Sequence, residues 1–128
     1  MKHLPRALLV IAAVNFAAAL FFLAALPAQD GGRVIACIGL VVVHLLIGGG
    51  LLLRMNWARA LMLVYALFQI AALATAAVVA ILSLQLKPFT AWTATILVLT
   101  LVLIPFLVWV SRYLLRETTR ALFVQPET

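Results

Sequence analysis

Four stretches of this chain, residues 7–26, 34–53, 60–84 and 92–110, contain no Asp, Glu, Lys or Arg. As helices they match a hydrocarbon core of about 30 Å, which takes about 20 apolar residues to cross. An amphipathic soluble helix would show a polar face recurring about every 3.6 residues. These stretches are apolar all round, so lipid is the solvent that suits them. Charged residues make up 9% of the 128, against about 25% in soluble domains. The expected fold is an all-α membrane protein, a four-transmembrane-helix antiparallel bundle over residues 1–110, followed by a basic tail over 111–128. Short turns favour sequential antiparallel neighbours.

The cations set the expected orientation. With the spans above, Lys2, Arg6, Arg54, Arg59, Arg112, Arg116 and Arg120 fall on one side and only Arg33 and Lys87 on the other. Positive charge marks the cytoplasmic side, so both termini and the central loop read as cytoplasmic. The net charge of +6 is not a nucleic-acid signal, because these cations lie in short loops and tails rather than clustered on a folded face. Cys37 is the only cysteine. It excludes an internal disulfide and a cysteine-based zinc site, and reads as a small packing residue.

Lys2, His3 and Arg6 precede an apolar run of 20 residues, longer than the roughly 7–15 of a signal peptide. It reads as a retained first helix; cleavage near Leu26, Pro27 and Ala28 is the alternative. The segment from Pro27 to Gly32 is rich in turn residues and links helices one and two. Gly48, Gly49 and Gly50 end helix two. They allow either a hinge or close packing of backbones. Trp57, Trp92, Trp109 and Tyr113 fall at expected membrane boundaries, where amphipathic rings collect. Pro105 in helix four removes an amide donor and predicts a local kink. In the tail, Arg112, Arg116 and Arg120 recur every four residues, and in one helix they would form one cationic stripe. Leu114, Leu115, Leu122 and Phe123 would supply apolar surface away from it, a pattern suited to a helix at an anionic leaflet. A solvated membrane-proximal tail fits equally well. Gln125, Pro126, Glu127 and Thr128 are expected to be disordered.

Polar side chains inside a span are the natural place to look for function. Asn15, His44 and Gln69 lie near the middles of helices one, two and three, and small residues accompany each. They are expected to point inward as a buried polar cluster. In a functional reading His44 binds or relays a proton; in a structural one a neutral His44 is held by Asn15 or Gln69. Asp30, Glu117 and Glu127 are the only acids, and none lies in a span. Proton-coupled carriers usually use an embedded ionisable pair. Neither paired carboxylates, nor a Ser–His–Asp set, nor a metal-ligand cluster is visible in the sequence. No enzyme, metal or cofactor is expected.

The loop Arg54-Met55-Asn56-Trp57-Ala58-Arg59, with Tyr113-Leu114-Leu115 and Thr119-Arg120-Ala121-Leu122-Phe123, resembles that of a loose group of small, uncharacterised bacterial four-helix membrane proteins. The resemblance implies a bacterial inner-membrane setting and no activity. Small multidrug-resistance exporters differ in carrying a glutamate in helix one, where this chain has Asn15.

The leading expectation is a non-catalytic membrane interaction protein, an accessory, stabilising or immunity-type partner of a larger membrane complex. The alternative is a small homo-oligomeric transporter or channel lined by Asn15, His44 and Gln69. Expected partners are another membrane protein or a second copy, and lipids with anionic headgroups. Arg54, Trp57, Arg59, Arg112, Arg116 and Arg120 are the candidates for facing the lipids.

Overall fold

A computed structural model describes residues 4–124. The expectations for Lys2, His3 and the segment from Gln125 to Thr128 lie outside these residues. Among the described residues there are five α-helices and no strand. In chain order they are α1 (Arg6–Ala25), α2 (Gly32–Leu52), α3 (Asn56–Ser83), α4 (Ala91–Leu115) and α5 (Glu117–Phe123), with one 3-10 turn (Leu26–Ala28) after α1. The first four helices are long and apolar enough to cross a membrane, which marks a multi-pass membrane protein.

The helix ends differ from the charge-based boundaries at two places. α3 begins at Asn56 rather than residue 60, so the six-residue polar break shrinks to Leu53, Arg54 and Met55. α4 continues past Val110 to Leu115 and carries Arg112 in its last turn. A cation is favourable there, because the helix dipole is negative at its C-terminal end. Leaving lipid and leaving the helix are separate events, and charge reports only the first. At a rise of about 1.5 Å per residue, α3 measures about 42 Å, well beyond a hydrocarbon core of about 30 Å.

The turn between α2 and α3 closes by a Schellman motif. The Met55 N–H donates to the Gly50 carbonyl at 2.8 Å, and the Arg54 N–H to the Leu51 carbonyl at 3.1 Å. The motif needs a left-handed residue just past the helix, usually glycine. Here that residue is Arg54, with φ at 57°. At the start of α4, Thr90 supplies the cap, its hydroxyl oxygen accepting from the Thr93 N–H at 3.2 Å, which satisfies one of the unpaired amides of the first turn. Pro105 lies inside α4, which remains one continuous helix across it.

The chain divides after Met62 and again after Arg120 into two compact units. In the first, α1 and α2 run antiparallel. Phe22 of α1 lies beside His44 of α2, with ring centroids 5.6 Å apart, while the earlier Phe16 lies against the later Gly48. The buried positions of α1 are Leu8, Ile11, Ala12, Asn15 and Ala19, a stripe at helical spacing. Those of α2 are His44, Ile47, Gly48, Gly50 and Leu51. Those of α2 all fall in its second half, toward the α2–α3 turn, and the start of α3 adds Ala58 and Met62 to the buried set. The opposite end, around Phe21, Leu23, Ile35 and Ile38, is exposed. In the second unit the buried residues are Ala66 and Ala80 of α3, Thr93, Leu107, Val110 and Leu114 of α4, and Thr119 of α5.

Candidate functional site

The three intramembrane polar residues are each tied first to their own helix. Asn15 is 3% exposed; its amide donates to the Ile11 carbonyl at 2.8 Å and lies 3.7 Å from the Met62 sulfur. Both partners accept only, so the amide nitrogen is the atom that faces them. The second contact joins α1 to the start of α3 through a polar side chain and a thioether. Nδ1 of His44 lies 2.7 Å from the Leu40 carbonyl oxygen. A carbonyl cannot donate, so Nδ1 must carry a proton. The Gln69 amide donates to the Tyr65 hydroxyl at 2.7 Å, one turn back along α3.

Asn15 and His44 belong to the first unit and Gln69 to the second. The sequence placed these residues at similar depths, but depth does not fix their position around the helix axis. The i−4 carbonyl is always within reach of a short polar side chain, and Thr75, Thr95 and Thr100 use it in the same way, bonding Ala71, Ala91 and Ile96. Cys37 is half-buried with a free thiol. Among the described residues no group of three or more His, Cys, Asp or Glu side chains comes together.

The central turn is locked by its own side chains. Trp57 donates its indole N–H to the Met55 sulfur at 3.1 Å, and its ring lies over Gly50. Arg59 donates from Nε to the Asn56 side-chain oxygen at 3.1 Å. The indole N–H of Trp57 is thus engaged within the turn, while the residue is 47% exposed.

At the C-terminal end of α4 a cavity of about 400 Å³ is lined by Pro105, Val108, Trp109, Arg112, Tyr113 and Arg116. These positions share one helix face. Phe106, Trp109 and Tyr113 form a ladder along α4, with centroid spacings of 5.8 and 6.0 Å. The single cationic stripe expected through Arg120 is not formed. α4 stops at Leu115, Arg116 has extended backbone geometry with ψ at 140°, and Arg120 sits on the separate helix α5. Arg112 and Arg116 remain together at the end of α4. The apolar surface expected of the tail is also partly used up, since Leu114 and Phe123 are buried. The spacing of Trp109, Arg112, Tyr113 and Arg116 was visible in the sequence; the concavity they line was not.

A second cavity, of about 530 Å³, lies between the end of α3 and the start of α4 and includes Ala80, Ser83, Lys87, Thr90 and Thr93 in its lining. No protein-family model, curated protein or solved structure matches the chain.

Proposed function

We propose that this protein is a non-catalytic membrane interaction subunit, an accessory, stabilising or immunity-type factor that docks onto a larger membrane partner through α3. The observation that carries this reading is the bareness of that helix. Only 11% of its most apolar 18 residues is buried, against 28% in α1 and in α2. Its exposed face runs Val64, Phe68, Ala71, Ala72, Thr75, Val79 and Leu82. Small residues therefore fill the middle of the face and large ones flank it. Lipid tails gain nothing from small side chains, whereas another helix does, because they let backbones approach. The Thr75 hydroxyl donates to the Ala71 carbonyl, so the face presents methyl groups and no unpaired donor.

In this reading the four long helices form an antiparallel bundle in a bacterial inner membrane, with both termini and the α2–α3 turn cytoplasmic. The charge asymmetry supports the orientation. The small-transporter alternative needs Asn15, His44 and Gln69 to line one path.

The test is purification from native membranes in a mild polymer, followed by mass spectrometry of intact complexes. A stoichiometric partner is expected, and it should be lost from Ala72→Leu, a change that a lipid-facing site would tolerate. Recovery of a monomer with no enriched partner would sink the proposal. A ring of identical subunits would move the transporter reading ahead of it.

A further inference from the structure

The concave face at the end of α4 changes character along its length in the order in which a phospholipid does. Pro105 and Val108 are apolar, Trp109 and Tyr113 are rings with one polar edge, and Arg112 and Arg116 are cationic. From Pro105 to Arg116 is eleven residues, about 16 Å at the usual helical rise, enough to run from the headgroup level into the upper part of one acyl chain. The cavity volume of about 400 Å³ fits a headgroup and the upper part of one chain, and lies within the usual range for small-ligand sites of about 300–1,000 Å³. Pro105, Val108, Trp109, Arg112 and Arg116 are all exposed, so lipid reaches the groove from the side.

Charge decides which lipid. The two guanidinium groups lie one turn apart on one face, and among the described residues neither has a hydrogen-bond or ion-pair partner. Glu117, the nearest acid in sequence, does not line the cavity. The helix end itself disfavours an anion, because its unpaired carbonyls carry partial negative charge. Any affinity for phosphate must then come from the arginine side chains, whose planar forks match phosphate oxygens. Trp109 and Tyr113, stacked at 6.0 Å, form a wall at the depth where glycerol and ester groups sit, the level at which such rings collect.

We infer that this groove is a seat for one anionic phospholipid, with the phosphate held between Arg112 and Arg116 and one acyl chain laid along Val108 and Pro105. The site is complete in a single chain and does not depend on α3 docking a partner. Membrane-proximal arginines attract anionic surfaces in general. The groove adds a defined stoichiometry and a place for the chain.

The experiment uses the full chain in a mild detergent, with phosphatidylglycerol or phosphatidylcholine titrated and bound lipid counted by native mass spectrometry. One phosphatidylglycerol should bind ahead of all others, with phosphatidylcholine clearly weaker. Arg112→Gln with Arg116→Gln should weaken phosphatidylglycerol roughly thirty-fold, a factor of about five for each arginine. Val108→Trp keeps both charges and fills the chain-binding half; it should also displace the lipid, which controls for misfolding of the double variant. Arg120→Gln, outside the groove, should have little effect. Equal binding of both lipids would overturn the inference, as would unchanged phosphatidylglycerol binding by either groove variant. Glycerol phosphate competing at the same concentration as the lipid would also overturn it, since the chain would then contribute nothing.

Discussion

Arg54 holds the one left-handed backbone among the described non-glycine residues, and the α2–α3 turn closes through it. Left-handed geometry costs an L-residue about 1–2 kcal/mol. The cost rises for a branched side chain, for which positive φ is a true outlier. Arg54→Gly and Arg54→Val both remove the guanidinium, so comparing them isolates the backbone. The valine variant should be less stable than the glycine variant by about 1–2 kcal/mol, read from thermal unfolding in detergent. Equal stabilities would mean that the turn can close another way. The sequence marked Arg54 as a loop cation but gave no sign of its geometry, since arginine has no preference for this conformation. Asn15 was legible in a different degree. Its burial followed from being polar in a span, whereas its contact with Met62, 47 residues away, depends on how α1 and α3 are rotated.

The three glycines closing α2 are chemically identical and structurally unlike. A methyl group at Gly50 would lie 2.5 Å from the Ala58 Cβ and 3.1 Å from the Trp57 ring, and one at Gly48 would lie 3.1 Å from the Phe16 ring. At Gly49 it would meet nothing within 4 Å. Gly50→Ala should therefore destabilise the protein by about 1–3 kcal/mol through overpacking. Gly49→Ala should be neutral or stabilising by up to about 1 kcal/mol, because alanine loses less backbone freedom in a helix. Thermal unfolding of the two variants side by side checks this, and matching losses would refute the packing account. The helices themselves could be read from the apolar runs. Which side of each faces inward could not, because lipid-facing and protein-facing sides are equally apolar. The ends were legible where proline or glycine stops a helix, as before Pro27, and not where a charge leaves the lipid while the helix goes on, as at Arg112.

For the whole molecule, the charge asymmetry predicts which ends face the cytoplasm. In a Cys37→Ser background, Asp30→Cys should react with a membrane-impermeant maleimide in intact cells. Thr118→Cys should react only after the membrane is opened. The reverse pattern would invert the proposed orientation and with it the leaflet in which the α4 groove lies. Four spans were readable at this scale because each spans lipid without a charge. The groove was not, although its residues stood at helical spacing. Whether a helix face is flat or concave depends on how neighbouring side chains and the chain beyond Leu115 fall around it, and the turn at Arg116 is the feature that removes Arg120 from that face.

The turn of three residues between α2 and α3 also bears on how the protein is made. With so little chain between them, the end of α2 and the start of α3 are held side by side once both helices have been made. Gly50, Ala58 and Trp57, which lie against one another across this corner, then need no search through the membrane to meet. In the proposed orientation the corner stays behind on the ribosome's side, so neither Arg54 nor Arg59 has to be carried through lipid. The packing at this corner would therefore be among the first contacts that α3 makes with the α1–α2 hairpin.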